Sequence, residues 1–417
     1  MFALLTFTAT WLLALALSHP LLDTKPSCPP FGNGTINIAS YQLYPENVDF
    51  DEQSCLLCKF AEYEINHDKF RKKPSQCSQQ IMNDTSTNKQ PDIGALYNAS
   101  VVVYDPYKAS IVSTIEFPNI TRTLPFHIGG VAWDPYAGSR SRNKSADEIT
   151  ILVDAAPAHE TAGRNISGDN YLIRYSARTH RVLWRANLTA QSAGRYGGPQ
   201  DVEHDTRGNV YVLGTYPGTI QRVSGAGGAV EEWFVPPAPI DHAVLGYTGL
   251  AAVDGSTLLV ADARNGSAEG GALYRFDMSA LRGVPTRVPV AYPAGENEGG
   301  SEQVIRPGDA IYLPPKYGGA VLLIAEHGAG VSVLRSEGKG KRNNEWRAAE
   351  FLGRIPNPPE ITASGGLVTA AVEIAGSVFL VEEWFTDPLI PGTSAGNRTS
   401  FPLVDVTAQL DALVNAN

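Results

Sequence analysis

Short apolar segments alternate with turn residues along most of the chain. Hydrophobic positions come in brief bursts rich in Val, Ile, Tyr and Phe, and Gly, Pro, Asn and Asp separate them. Apolar residues spaced three and four positions apart, as a helix requires, are nearly absent. Alternating segments with many β-branched residues, bounded by turn residues, are typical of strands. The sequence therefore predicts an all-β fold.

One strand pair recurs six times. Each copy has an alternating strand, a turn and a more apolar second strand that often ends in an acid. The copies are Glu46–Asp51 with Ser54–Cys58, Gly130–Asp134 with Ile149–Asp154, Asp201–Asp205 with Asn209–Leu213, Gly249–Asp254 with Thr257–Asp262, Asp309–Leu313 with Ala320–Glu326, and Leu367–Val372 with Ser377–Glu382.

Two further strands follow several of these pairs, as Ala272–Phe276 and Thr286–Val290 do after the fourth. Repeated four-stranded units predict a β-propeller, in which each sheet packs its faces on its neighbours. We expect six four-stranded blades in a single domain over residues 43–417. An extension over 19–42 precedes this domain, and an insertion over 66–92 interrupts its first blade.

The first residues predict a signal peptide. The segment from Phe2 to Leu17 is apolar and uncharged, and it ends at small residues before Ser18. Such a segment is typical of a secretory leader cleaved after its apolar region. We expect a signal peptide over 1–18 and a secreted protein. No later stretch approaches about 18 unbroken apolar residues, so stable membrane insertion is not expected.

N-glycosylation sequons support an extracellular location. Nine Asn-x-Ser/Thr motifs occur without an intervening proline, and glycans at such sites lie on the surface. The nine asparagines are Asn33, Asn83, Asn98, Asn119, Asn143, Asn165, Asn187, Asn265 and Asn397.

Four cysteines, Cys28, Cys55, Cys58 and Cys77, lie in the first fifth of the chain. An even number of cysteines in a secreted protein predicts disulfides, so we expect a disulfide-bonded N-terminal segment. Cys55 and Cys58 are too close in one predicted strand to pair with each other. Cys28–Cys55 with Cys58–Cys77, or the crossed arrangement, remains open.

Charge and motifs exclude several classes of function. The net charge of −10 disfavours nucleic acid as a partner. The sequence has no phosphate-binding glycine loop, nucleotide fingerprint or Ser-His-Asp order. Nucleotide binding and hydrolysis by a serine triad are therefore not expected.

Three segments resemble one family of secreted fungal six-bladed propellers. They are Tyr44–Asp51, Leu96–Asp105, and Gly197–Asp205 with Gly208–Val212. The family is typified by the major Malassezia allergen and by the propeller protein of trichothecene biosynthetic clusters. The resemblance covers essentially the whole mature chain. It implies the propeller fold and a role with an apolar small molecule in fungal secondary metabolism.

A broader resemblance links the chain to the gluconolactonase and senescence-marker propellers. Their metal site implies ligand positions at Glu46 and Asp309. Gln200 and Thr248 stand where that family has asparagines, and these side chains are poor substitutes for a hard cation. We expect no cofactor, although a divalent cation at Glu46 and Asp309 stays open. A metal-dependent lactonase is therefore an alternative function.

Polar residues at the strand ends define a candidate site at the tunnel mouth. Innermost strands begin there and second strands end there, so ring closure brings distant residues together. The acids ending second strands, Asp154, Asp262, Glu326 and Glu382, form either an acidic rim or repeated backbone caps. Our catalytic candidates are Glu46, Asp309, Glu326 and His204. Our ligand-binding candidates are Gln200, Thr248, Arg264 and His127.

The expected function is binding or conversion of an apolar small molecule, with acid/base-assisted cyclisation or isomerisation as the possible reaction. A non-catalytic ligand-binding surface protein, similar to the allergen, is the alternative from another class.

Overall fold

The computed structural model describes residues 31–32, 34–50, 92–140, 147–263, 271–292, 305–306, 308–338, 344–393 and 395–416. The predicted signal peptide, all four cysteines with their predicted disulfides, Arg264, and the sequons at Asn33, Asn83, Asn143 and Asn265 lie outside these residues. No helix of the described part is both long and apolar enough to cross a membrane.

Strands dominate the described residues and form six sheets, numbered here along the chain. Sheet 1 contains β2 (Pro45–Asp49), β3 (Asp92–Ala95), β4 (Ser100–Asp105) and β5 (Ser110–Ile115). Sheet 2 contains β6 (Phe126–Trp133), β7 (Glu148–Ala155), β8 (Tyr171–Ser176) and β9 (Arg181–Asn187). Sheet 3 contains β10 (Gly197–His204), β11 (Val210–Tyr216), β12 (Thr219–Val223) and β13 (Val230–Phe234).

The remaining sheets follow in the same order. Sheet 4 contains β14 (Tyr247–Val253), β15 (Thr257–Asp262), β16 (Ala272–Asp277) and β17 (Thr286–Val288). Sheet 5 contains β18 (Val290–Ala291), β19 (Ile311–Tyr312), β20 (Val321–Ala325), β21 (Val331–Ser336) and β22 (Ala349–Ile355). Sheet 6 contains β23 (Leu367–Ile374), β24 (Ser377–Glu383), β25 (Ser400–Asp405) and, from the chain start, β1 (Ile36–Ala39).

Helices are few and short within the residues that the structure describes. They are α1 (Ala137–Arg140), α2 (Pro157–Glu160), α3 (Leu188–Ser192), α4 (Pro359–Ala363), α5 (Thr407–Asn415) and a 3-10 helix at Pro315–Tyr317.

The strand from the chain start closes the ring. β1 pairs antiparallel with β25, so that Ile36 lies opposite Leu403 and Ile38 opposite Phe401. The last sheet thus takes its outermost strand from the beginning of the chain. This pairing satisfies the edge of β25 and ties the two ends of the chain together.

Apolar contacts hold each sheet to the next. Buried hydrophobic side chains form six clusters, and each cluster joins two neighbouring sheets, including sheet 6 to sheet 1. Between sheets 3 and 4, for example, Trp233 packs against Tyr211 and Phe276 with ring centroids 4.8 and 5.6 Å apart. Full burial of one such side chain stabilises the fold by about 1.5–3 kcal/mol. The core is therefore a ring of intersheet layers around a central tunnel.

The predicted all-β propeller is confirmed, and most predicted strands have their counterparts. One pairing is wrong. The repeat placed the second strand of the first unit at Ser54–Cys58, which lies outside the described residues. The strand that pairs with β2 is β3, where Val48 lies opposite Ile93. The long interruption between the two strands hid this partner from a pattern that looks for nearby strands.

Candidate functional site

Innermost strands begin, and second strands end, on the same side of the ring. We call this side the mouth face, and its residues meet around the tunnel entrance. The strand register shows the arrangement. His127 in β6 lies opposite Asp154 in β7, and Leu367 in β23 lies opposite Glu383 in β24. Acids at the ends of second strands therefore stand beside the first residues of the innermost strands.

A β-bulge near the start of the innermost strand recurs in five sheets. The pairing register jumps between Pro45 and Val48, between Ile128 and Gly130, between Pro199 and Asp201, between Tyr247 and Gly249, and between Val368 and Ala370. A bulge leaves a residue out of the ladder and re-aims its side chain. The residues skipped in the ladder include Glu46, Gly129, Gln200, Thr248 and Thr369.

Gly129 is the skipped residue that has no side chain, and its sheet contributes an acid instead. A Cβ at this position would lie 3.3 Å from Oδ1 of Asp154 and 3.2 Å from the carbonyl oxygen of Pro199. The missing side chain leaves the space that the Asp154 carboxylate occupies. Sheet 2 therefore places an acid at the mouth from its second strand rather than from its innermost one.

Four carboxyl groups from four sheets form the floor of the mouth. They are Glu46, Asp154, Asp309 and Glu383, and the last three are almost fully buried. Oε2 of Glu46, both oxygens of Asp154 and both oxygens of Glu383 are buried without a hydrogen-bond partner. Burial raises the pKa of Glu46 well above its ordinary value, and the Asp309 and Glu383 carboxyls raise it further.

Glu383 has the same electrostatic character. Burial raises its pKa well above the ordinary value for glutamate, and the nearby backbone N–H of Trp384, which is not placed for a regular hydrogen bond, offsets only part of this effect. Several negative charges are unfavourable together in a desolvated space. Desolvation and neighbouring carboxyls therefore favour the protonated forms of Glu46 and Glu383.

Asp309 belongs to a hydrogen-bonded chain across sheets 3 and 5. Thr215 donates to Oε1 of Gln200 at 2.7 Å, and Nε2 of Gln200 donates to Oδ1 of Asp309. Nε2 of His327 lies 3.3 Å from Oδ2 of Asp309, and this hydrogen bond raises the pKa of His327. Gln200 thus uses both ends of its amide within the protein, and it orients Asp309 toward His327.

Histidines and tyrosines surround the acids. The side chains of His327 and His159 remain 40% and 30% exposed, so they lie at the entrance. Nε2 of His159 is 3.7 Å from Oδ2 of Asp154. His127 is buried, Nε2 of its ring has no partner, and burial lowers its pKa. Its ring meets Tyr97 edge to face, with the centroids 5.2 Å apart.

A second group of acids lies further along the innermost strands. Asp201 accepts hydrogen bonds from the backbone of Val202 and Leu250 at 2.8 and 2.7 Å. Burial raises the pKa of Asp201 to about 7 and that of Glu203 to about 8. Asp49 accepts in the same way from the backbone of Trp133 at 2.7 Å. Asp49 and Asp201 therefore tie neighbouring innermost strands together.

The structure brings together five of the residues expected at the mouth: Glu46, Asp309, Gln200, Thr248 and His127. The hydroxyl of Thr248 is buried without a partner. The sequence pattern singled out Glu382 rather than Glu383 and did not mention His159. A signal for Glu383 existed, since two consecutive acids end a wholly apolar strand.

His204 does not join the mouth. It lies at the far end of β10, four residues and about 13 Å from Gln200. Its Nε2 contacts the Thr150 hydroxyl at 2.8 Å and Nη1 of Arg174 at 2.9 Å. Burial lowers the pKa of His204 to about 3, so the ring is neutral. The length of β10 explains the error, because it separates the end of the strand from the mouth where the strand begins.

The Glu326 carboxylate is held in hydrogen bonds within the protein. Its Oε2 accepts from Arg354 at 2.6 Å, and its Oε1 accepts from Ser332 at 2.8 Å and from the backbone of Arg306 at 3.1 Å. Both oxygens of this carboxylate are therefore engaged by neighbouring groups of the protein. The geometry therefore favours the capping interpretation of Glu326 over a catalytic one.

Glu382 points away from Glu383 along the same strand. Nδ2 of Asn357 donates to its Oε2 at 3.4 Å, and burial raises the pKa of Glu382 to about 8. Two adjacent glutamates in β24 therefore have similar burial and different neighbours.

The described residues hold no group of three or more His, Cys, Asp or Glu side chains arranged to bind a metal ion. A partly open pocket lies between sheets 2 and 3, and its lining includes Asn170, Tyr196 and Gln221 but none of the mouth carboxyls.

Two curated fungal proteins are similar to the chain over almost its whole length, whereas no protein-family model matches it. Trichothecene biosynthesis protein 14 of Trichoderma arundinaceum is 30% identical over 406 residues, covering 94% of this chain and 93% of the relative. Core trichothecene cluster protein 14 of Fusarium sporotrichioides is 27% identical over 399 residues, covering 93% and 88%.

The crystal structure of the major Malassezia sympodialis allergen Mala s 1 supports the fold. It superposes with a TM-score of 0.61 at 17% identity, covering 90% of this chain and 96% of the allergen. Because the chain shares 30% identity with the Trichoderma protein over nearly the full length of both, it belongs to the family of trichothecene biosynthesis protein 14.

Proposed function

We propose that this protein is a secreted acid/base catalyst that binds an apolar small molecule of trichothecene-type biosynthesis at the mouth and promotes its cyclisation or isomerisation. One observation carries the proposal. Buried polar atoms of Glu46, His127, Asp154, Thr248 and Glu383 converge on the mouth without hydrogen-bond partners. Buried polar groups are normally satisfied, so this arrangement is what a site awaiting a ligand would show.

The chemistry follows from two kinds of carboxyl group in one place. Glu46 holds a proton because it is desolvated beside Asp309 and Glu383, so it can donate that proton to a substrate oxygen or double bond. Asp309, oriented by Gln200 and backed by His327, can accept a proton from another atom of the same substrate. A cyclisation or isomerisation leaves the atomic composition of the substrate unchanged. Transfer of the proton from Asp309 back to Glu46 then restores the starting state of the site.

The surroundings of the mouth favour an uncharged ligand with apolar surface. The acidic floor repels anions. Leu124, Val244 and Phe385 are large apolar side chains on mouth-face loops, and they are 61%, 41% and 40% exposed. Both relatives are named for trichothecene biosynthesis. A hydroxylated terpenoid would present polar groups to the floor and its carbon skeleton to these side chains.

The test is metabolite profiling of a deletion strain complemented with single variants. We expect wild type and Glu382→Gln to restore the profile, because Glu382 is buried and its pKa is also raised, but it lies outside the cluster. Glu46→Gln and Asp309→Asn should accumulate a precursor, with conversion by purified protein reduced about 10²–10⁴-fold, as expected when a general acid or base is removed.

A deletion strain with an unchanged profile would refute the pathway role. If Glu46→Gln and Asp309→Asn both fold and both restore conversion, the assignment of the mouth as the catalytic site is wrong. If they bind the precursor normally and wild type never converts it, the protein is a ligand-binding member of the family.

A further inference from the structure

The exposed sequons of the described residues all lie on the mouth face. Asn119 lies on the loop that leads into β6, and Asn187 ends β9 beside the same face. Asn165 lies on the loop between β7 and β8, and Asn397 lies on the loop between β24 and β25. The loops of the opposite face carry no sequon within the described residues.

Asn119 and Asn397 are exposed, and the hydrogen bonds of Asn165 and Asn187 leave the side-chain nitrogen of each free to carry a glycan. Asn187 caps α3 through Oδ1, which accepts from the backbone of Ala190 at 2.9 Å. Asn165 accepts at Oδ1 from the backbone of Ser167 at 3.1 Å. Both contacts use the oxygen and leave the amide nitrogen available. The fifth described sequon differs, because Asn98 is half-buried and its Nδ2 donates to the carbonyl of Gln42 at 2.9 Å.

We propose that N-glycans at Asn119, Asn165, Asn187 and Asn397 form a collar around the tunnel mouth. The inference rests on the secretion proposed above but not on the proposed catalysis. N-glycans are bulky and hydrophilic, and they cannot be buried in an interface. The attachment points come from the neighbourhoods of sheets 1, 2 and 6, so the collar keeps this face in solvent. It lets a small molecule reach the acids and keeps membranes and folded proteins away.

Exposed arginines lie next to two of the sequons, and trypsin cleavage after them measures whether a protein can reach this face. Arg122 and Arg164 are exposed and lie three and one residues from Asn119 and Asn165. Arg282 is equally exposed on the opposite face, in the loop between β16 and β17. Exposed loops are the preferred sites of proteolytic cleavage, so trypsin can report on both faces in one digestion.

The experiment uses the full chain secreted from a fungal host with its own leader. Glycopeptide mapping should find all four asparagines occupied. Native trypsin digestion of wild type should spare Arg122 and Arg164, whereas a variant with all four changed from Asn to Gln should be cut there at least about tenfold faster, in line with greater access to the cleavable state. Cleavage after Arg282 should proceed at the same rate in both proteins.

If the fourfold variant fails to fold, the cleavage rates of wild type before and after glycosidase treatment provide the same comparison. Empty sequons on protein recovered from the medium would overturn the collar while leaving secretion intact. Unglycosylated protein retained in the cell would overturn both. Occupied sequons with equal cleavage at Arg122 and Arg164 before and after glycan removal would refute the shielding role.

Discussion

Replacing Glu383 with glutamine should stabilise the fold at neutral pH and reduce activity. The carboxyl of Glu383 is fully buried, and neither oxygen has a hydrogen-bond partner. Burial raises its pKa well above the ordinary value of 4.5. The folded protein therefore binds a proton that the unfolded chain has released, and this difference sets how stability changes with pH.

The sign follows from linkage. The contribution of a raised pKa is fully present below about pH 4.5, the ordinary value for the unfolded chain, and is lost as the pH rises toward the folded value. One such proton lowers the free energy of unfolding by up to about 1.4 kcal/mol for each pH unit in this range. Above about pH 4.5 the wild type should therefore lose stability through this group as the pH rises. Glutamine keeps the size of the side chain and removes the titration.

The assay is chemical denaturation of wild type, Glu383→Gln and Glu382→Gln at several pH values, together with conversion of the precursor. In both variants stability should fall less steeply with rising pH than in wild type, because burial also raises the pKa of Glu382, to about 8. Only Glu383→Gln should lose activity, since only Glu383 faces the mouth. The reasoning fails if Glu383→Gln leaves the pH dependence of stability unchanged, or if both variants lose activity equally.

Two predictions concern residues outside the mouth. Arg174→Met should lower the free energy of unfolding by about 3 kcal/mol, near the lower end for a broken buried ion pair, because Arg140 still contacts Asp134. A loss below about 1 kcal/mol in urea denaturation would show that this pair contributes little. Glu326→Gln should lower the melting temperature by leaving Arg354 unpaired, yet keep the catalytic pH profile. A shifted pH profile in a folded Glu326→Gln protein would return Glu326 to the catalytic group.

Repetition made the fold readable from the sequence. Alternating apolar residues and turn signals mark most strands of sheets 2, 3, 4 and 6. These strands can be recognised locally, because consecutive side chains of a strand point to opposite faces of the sheet. The first sheet was harder, since β3 follows β2 only after a long interruption. β1 looked like an extension, because nothing local indicates that it pairs with β25 at the other end of the chain.

The site divides in the same way. The repeat was enough to predict that Glu46, Gln200, Thr248 and Asp309 would meet, because equivalent starts of repeated strands must face one tunnel. The neighbours that share that space with them could be seen only in the folded ring. Gln200, at the bulge near the start of β10, reaches Asp309, while His204 at the end of the same strand contacts Arg174. Burial and mutual repulsion, which set the protonation of Glu46 and Glu383, depend on distances across the ring that no local pattern contains.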